Sequence, residues 1–131
     1  MVVRKVLNIE DLPTKHAAVR RALERCGVQH IDHADNAVDG LDMIEAAIVE
    51  GKPYHAIVTD MYFPMNKGGM EVQAGMYVIE ELQARGIDVP VIVCSSARMV
   101  IPEIVGCIHY NPYRNDLDAD MREMIEIIRG M

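Results

Sequence analysis

Three carboxylates follow the two apolar runs with the clearest strand character near the N-terminus and in the middle of the chain. Glu10 and Asp11 come directly after residues 6–9, and Asp60 comes after residues 57–59. Because the carboxyl ends of parallel strands meet at one edge of a sheet, we expect these side chains to lie together. Crowded carboxylates raise each other's pKa unless a cation is present, and Mg²⁺ prefers oxygen ligands. The sequence therefore predicts a magnesium site.

Asp11 has a second interpretation. It precedes Leu12, Pro13 and Thr14 at the predicted entrance of a helix. A carboxylate at such a position often caps the helix by accepting a backbone N–H bond. Taken alone, Asp11 is better explained by capping than by metal binding.

Short β-rich runs alternate with longer amphipathic patterns, which is typical of βα units that wind a parallel sheet. We predict an α/β fold with a doubly wound five-stranded parallel sheet and helices on both faces. The predicted strands span residues 3–9, 30–34, 55–60, 89–94 and 107–110. A second helix over 36–50 is predicted to turn four apolar side chains inward, namely Val38, Leu41, Ile44 and Ile48.

Composition limits the classes of protein to be considered. A chain of 131 residues is the size of one domain, and we expect residues 1–131 to form one domain without an output domain. The net charge of −7 disfavours direct binding to nucleic acid. We expect no membrane insertion, because the apolar runs are too short to span a bilayer. The three cysteines lack the spacing of a disulfide framework or a zinc site, and this favours a cytoplasmic location.

Four segments resemble, in order and approximate spacing, the signature segments of response-regulator receiver domains, a flavodoxin-like family of bacterial two-component signalling. They are residues 6–11 (VLNIED), 57–64 (IVTDMYFP), 91–96 (VIVCSS) and 106–113 (GCIHYNPY). The resemblance extends along nearly the whole chain.

The resemblance implies a role for each site residue. Glu10 and Asp11 would bind Mg²⁺, together with Asp60 and the backbone carbonyl of Tyr62. Asp60 would accept the phosphoryl group, and Ser95 would contact the phosphoryl oxygens. The expected partners are a histidine kinase or phosphotransfer protein and a downstream protein target.

The sequence departs from the family pattern in three places. Asn111 stands where receivers usually carry a lysine, and this change removes the ammonium that pairs with the phosphoryl oxygens. Lys67 or Arg98 could supply the missing charge, but both are better explained as exposed, solvated side chains. The short interval between Ser95 and the fifth strand predicts a short or irregular fourth helix. The segment of residues 66–75, between the aspartate loop and the third helix, is longer than in most receivers. This length is consistent with a partner contact or with a tolerated surface loop.

Three functions remain open on this basis. The first is a stand-alone receiver domain in a phosphorelay. Such a domain accepts a phosphoryl group and is not an enzyme; at most it phosphorylates itself from phosphodonors and removes its own phosphoryl group. The second is a pseudo-receiver that works through protein contacts without phosphorylation, as Asn111 suggests. The third, a small metal-dependent phosphatase, ranks lowest because the sequence shows no separate general acid.

Overall fold

The computed structural model describes residues 1–114 and 116–131. It shows a five-stranded parallel sheet in the strand order β2-β1-β3-β6-β7. The strands of this sheet are β1 (Lys5–Ile9), β2 (His30–Ala34), β3 (Ala56–Thr59), β6 (Val91–Ser95) and β7 (Gly106–His109). The helices are α1 (Pro13–Arg25), α2 (Ala37–Val49), α3 (Ala74–Ala84) and α4 (Leu117–Arg129). The predicted fold class is confirmed, with strand bounds that differ by at most two residues.

Helices cover both faces of the sheet and create two apolar cores. One core lies under α2 and α3 and includes Leu41, Ile44 and Val78. The other lies under α1 and α4 and includes Val19 and Met121. β3 is buried along its whole length, as expected of a central strand in a doubly wound sheet.

The apolar face predicted for α2 is partly wrong. Leu41 and Ile44 are buried, but Val38 and Ile48 are about two-fifths exposed, at 37% and 42%. The face against the sheet is made partly of small residues, one of which is Gly40. A Cβ on Gly40 would lie 2.8 Å from Ile9 Cδ1, so the helix packs too closely for large side chains there.

Two segments differ from a simple alternation of strands and helices. Residues 96–105, between β6 and β7, contain no helix, so the fourth helix, predicted to be short or irregular, is absent from this segment. The stretch after β3 forms a small antiparallel hairpin from β4 (Phe63–Pro64) and β5 (Glu71–Val72). Phe63 is fully buried, and the Met65 carbonyl accepts a 3.0 Å hydrogen bond from the Val38 N–H. The hairpin is therefore attached to the domain at its base.

Gly75 in the first turn of α3 lets this helix approach the backbone that follows β3. The Gly75 N–H donates a 2.9 Å hydrogen bond to the Met61 carbonyl. A Cβ at this position would lie 2.3 Å from the Asp60 carbonyl oxygen and 2.8 Å from Met61 Cα. Both atoms belong to the backbone, so neither can move aside as a flexible side chain would.

We expect Gly75→Ala to destabilise the protein by about 1–3 kcal/mol or more, because overpacking against backbone forces a shift of α3 or of residues 60–61. Urea unfolding followed by circular dichroism measures this change. Gly130→Ala is the matched control, since its Cβ would have no neighbour closer than 3.6 Å. Equal stability of the two variants would contradict the close approach.

Candidate functional site

The three predicted carboxylates come together at the carboxyl edge of the sheet. Glu10 follows β1 and is buried, Asp60 follows β3 and is half-buried, and Asp11 is exposed. Each offers an oxygen within 4.8 Å of the others, and the described residues contain no other such group of potential metal ligands. The strand ends thus bring these groups together as the sequence predicted.

A buried lysine that was not predicted from the sequence lies among these carboxylates. Lys15 Nζ is 2.9 Å from Glu10 Oε1 and 3.1 Å from Asp60 Oδ2, and it donates a 2.7 Å hydrogen bond to the Cys94 carbonyl. Its side chain is only 5% exposed. An ammonium has three N–H donors, so these contacts use all of them. The ring of Tyr110 lies 5.2 Å from Nζ and adds a cation–π contact.

The place of Lys15 in α1 explains how its side chain reaches the site. Leu12 is the N-cap and Pro13 the first helical residue, so Lys15 lies in the first turn, next to the end of β1. Side chains on a helix lean toward its N-terminus, which here is the edge of the sheet that carries Asp60. The helix dipole disfavours a cation in this turn, and the two carboxylates offset that effect.

One signal in the sequence was available. Lys15 lies four residues before Val19 on the same stripe as Ala22 and Leu23, and all four are buried. A lysine on an apolar helical stripe is unusual, because burial of an ammonium requires a partner. The partners come from distant parts of the chain, however, and the pattern alone does not identify them.

The electrostatics of the cluster follow from its burial. Burial raises the pKa of Glu10 to about 7 even though Lys15 opposes the shift, and the charge of Asp60 raises it further. Burial alone would lower the pKa of Lys15, but the carboxylates, Glu10 first, raise it above its usual value. The ammonium is therefore charged at neutral pH, while Glu10 titrates close to that pH.

The remaining carboxylate oxygens are bound by the backbone. Glu10 Oε2 accepts a 3.1 Å hydrogen bond from the Leu12 N–H, and Asp60 Oδ1 accepts one of 2.7 Å from the Met61 N–H. The N-cap of α1 is Leu12, and no side chain caps the helix. Asp11 therefore makes no capping bond here, and the capping interpretation of this residue fails.

The side chains of Ser95 and Asn111 each accept a hydrogen bond from a backbone N–H two residues further along the chain. Ser95 is the last residue of β6, is buried, and its Oγ accepts a 3.3 Å hydrogen bond from the Ala97 N–H. The neighbouring Ser96 lines the cleft at Asp60. Asn111 Oδ1 accepts a 2.9 Å hydrogen bond from the Tyr113 N–H, and the residue lines a separate cleft. The Asn111 side chain thus stabilises its own turn.

A cleft of about 310 Å³ opens over the cluster. This volume is at the lower end for ligand pockets and suits a small polar group. Besides the acidic group and Lys15, the lining of the cleft includes Leu12, Ser96, Tyr110 and Pro112. Glu71 of β5 also lines it, so the unusually long segment lies beside the site. Tyr62, the predicted carbonyl ligand, follows Asp60 by two residues and is 42% exposed.

A second polar network lies behind the cluster and explains the polar residue in β1. Asn8 Nδ2 donates a 2.9 Å hydrogen bond to the Val58 carbonyl, which leaves Asn8 Oδ1 to accept from His16 Nδ1 at 2.7 Å. His33 Nε2 donates to the Glu10 carbonyl at 2.6 Å. The two imidazoles stack with centroids 3.8 Å apart. Burial, the stacked His33 and then Arg20 lower the pKa of His16 to about 4.

The thiols of the three cysteines are disfavoured from ionising by their burial. Burial raises the pKa of the Cys94 thiol to about 12, and it also raises the pKa of Cys26 and Cys107, so none is an activated nucleophile. No helix in the described ranges has the length and apolar character needed to cross a bilayer.

Comparison with known proteins gives matches at the level of structure. No family model matches the sequence, and no curated protein matches it. The phosphorylated cyanobacterial phytochrome response regulator RcpA superposes with a TM-score of 0.74 at 14% identity, over 98% of this chain and 95% of that one. A CheY-like receiver domain from Methylobacillus flagellatus gives 0.68 at 15% identity, over 97% and 99%.

A third structure is a complex. The response regulator TrrA from Thermotoga maritima, bound to Mg²⁺ and a beryllium fluoride, gives a TM-score of 0.67 at 16% identity, over 93% of this chain and 99% of that one. These likenesses show that the chain has the fold of response-regulator receiver domains.

The lowered pKa of His16 predicts a dependence of stability on pH. Between about pH 6.5 and 4 the unfolded chain takes up a proton that folded His16 does not bind, so the unfolding free energy falls as the pH falls through this range. We expect His16→Gln to remove this component, whose slope for one proton approaches about 1.4 kcal/mol per pH unit. Urea unfolding at several pH values measures it.

Glu10 acts in the opposite direction, because its raised pKa favours the folded state below pH 7. The comparison must therefore be between wild type and His16→Gln at each pH, with His30→Gln as the control for removal of an exposed imidazole. Parallel profiles for wild type and His16→Gln would rule out the effect.

Proposed function

We propose that this chain is a receiver of two-component signalling that is phosphorylated on Asp60 and signals by binding another protein. The observation that carries the proposal is the position of Asp60 at the carboxyl edge of the sheet, within a cluster of carboxylates and beside the Lys15 ammonium. The likeness of the fold to response-regulator receivers supports it. The chain is then a phospho-acceptor and not an enzyme that acts on free substrates.

The chemistry needs little from the protein beyond position and charge. An Asp60 carboxylate oxygen attacks the phosphorus of a donor, a new O–P bond forms, and the bond from phosphorus to the leaving group breaks. With phosphohistidine on a kinase or phosphotransfer protein as donor, the P–N bond breaks and the imidazole keeps the electron pair. With acetyl phosphate, acetate leaves instead. The backbone bond from Met61 to Asp60 Oδ1 fixes the orientation of the nucleophile.

The donor set fits Mg²⁺. Glu10, Asp11 and Asp60 supply hard carboxylate oxygens within 4.8 Å of one another, which is the ligand type that this ion prefers. The carbonyl of Tyr62 is the proposed further ligand, by resemblance to receivers. When bound, the ion would neutralise negative charge on the phosphoryl oxygens. Lys15 already binds Glu10 Oε1 and Asp60 Oδ2, so the ion would share the carboxylates with the ammonium.

The proposed phosphoryl contacts after β6 are the hydroxyls of two serines. Ser95 is the position implied by resemblance, and Ser96 is the one that lines the cleft. A hydroxyl in this place donates to a phosphoryl oxygen and draws the following loop toward the site. The segment 96–105 lacks a helix, so such a movement has no helical hydrogen bonds to break.

A specific observation supports a second candidate. The acidic cluster is already compensated by Lys15, and the Asn111 side chain is engaged in its own turn rather than in the cleft. A site of this kind is stable without phosphate. A pseudo-receiver that binds partners without phosphorylation is therefore the alternative, and the same experiment separates the two.

We expect intact-protein mass spectrometry to show one labile phosphoryl group on wild type after incubation with acetyl phosphate and Mg²⁺. Asp60→Asn should show none, because an amide is not a nucleophile toward phosphorus. Asp42→Asn, an exposed aspartate on α2, is the matched control and should be labelled like wild type. Absence of label on wild type would favour the pseudo-receiver.

A further inference from the structure

Lys15 is the only lysine or arginine that forms an ion pair with Asp60 among the described residues. Lys67 and Arg98, the two cations considered from the sequence, are exposed and line clefts other than the one at Asp60. Lys15 Nζ lies 3.1 Å from Asp60 Oδ2 and belongs to the cleft that opens over that oxygen. The positive charge at the site therefore comes from α1 and not from the turn after β7.

We propose that the Lys15 ammonium binds the phosphoryl oxygens during transfer to Asp60, which is the task that the missing lysine at position 111 performs in receivers. The inference rests on the proposed function, because it assigns a residue to the same reaction. It makes Lys15 a catalytic residue, since its Nζ would contact the transferred group.

The geometry allows Nζ to change one contact while it keeps the others. Two of its three hydrogen bonds, to Glu10 Oε1 and to the Cys94 carbonyl, do not involve Asp60 and can be kept when the contact with Asp60 changes. When the Asp60 oxygen forms its bond to phosphorus, it gives up negative charge to the phosphoryl oxygens. The N–H that donated to Asp60 Oδ2 can then donate to a phosphoryl oxygen, which carries more negative charge and is therefore the stronger acceptor.

The surroundings keep Nζ in position for this exchange. Glu10, the Cys94 carbonyl and the Tyr110 ring hold it from three sides, and the side chain is 5% exposed. A charge held in place before the reaction stabilises the transition state without reorganisation. In a site shielded from water, such a charge is also screened less than a solvated lysine.

The test is the rate of phosphorylation by acetyl phosphate at saturating Mg²⁺, followed by intact mass, for wild type, Lys15→Met, Lys52→Met and Lys67→Met. Methionine keeps the unbranched stem of lysine and removes the charge. We expect Lys15→Met to react about 100-fold more slowly, as for loss of one preorganised donor. Lys52→Met and Lys67→Met, which replace exposed lysines, should react like wild type.

A measurement on the wild-type protein guards against misfolding of Lys15→Met. Fluoroberyllate with Mg²⁺ forms a stable analogue of an aspartyl phosphate, and we expect a nuclear Overhauser contact between its fluorines and the Lys15 ammonium protons. A bound fluoroberyllate without this contact would overturn the role of Lys15.

The outcomes separate this inference from the proposed function. If wild type is labelled on Asp60 and Lys15→Met is labelled equally fast, the receiver function stands and the role of Lys15 fails. If Lys67→Met loses the rate instead, the charge comes from the hairpin loop and the inference is again wrong. If wild type neither takes up a phosphoryl group nor binds fluoroberyllate, the proposed function fails and the inference fails with it.

Discussion

The arrangement of the site depends on one buried ammonium. Lys15 Nζ contacts groups at the carboxyl ends of three adjacent strands: Glu10 after β1, Asp60 after β3 and the Cys94 carbonyl in β6. Without a cation, two carboxylates at this edge would repel each other in a region from which most water is excluded. Lys15 lies in the first turn of α1, so its ammonium reaches the carboxylates only when this helix packs on the sheet in this position. The packing of α1 and the charge balance of the site therefore depend on each other.

The position of Asp60 is fixed by backbone contacts on both sides. Its N–H donates to the Ile9 carbonyl at 3.1 Å, its Oδ1 accepts from the Met61 N–H, and α3 approaches its carbonyl at Gly75. The hairpin formed by β4 and β5 then covers one side of the cleft and contributes Glu71. Asp60, the proposed nucleophile, is thus held by main-chain atoms, whereas the positive charge beside it is carried by the side chain of Lys15.

The fold was predictable because strand and helix periods leave strong patterns, and the carboxylates were predictable because they end strands. The errors have physical causes. The apolar pattern predicts Val38 and Ile48 on the inner face of α2, whereas the close packing of this helix on the sheet favours small residues such as Gly40 there. Lys15 was missed because a single lysine in a helix is normally solvated, and only the tertiary structure shows its partners. Lys15 and Asp60 are far apart in the sequence, so their ion pair could not be predicted from it.

The energetics of the cluster indicate that it serves chemistry rather than stability. A buried ion pair recovers in attraction roughly what it loses in desolvation, and apolar side chains of similar volume often stabilise a core equally well or better. A methionine in place of Lys15 would fit the apolar stripe with Val19, Ala22 and Leu23, but it would leave the Glu10 and Asp60 carboxylates without their cation, so only replacement of the whole cluster would be neutral for stability. Burial raises the pKa of Glu10 to about 7, although Lys15 opposes the shift. The fold alone gives no reason for a buried charged cluster at this edge of the sheet, whereas the proposed phosphorylation of Asp60 does.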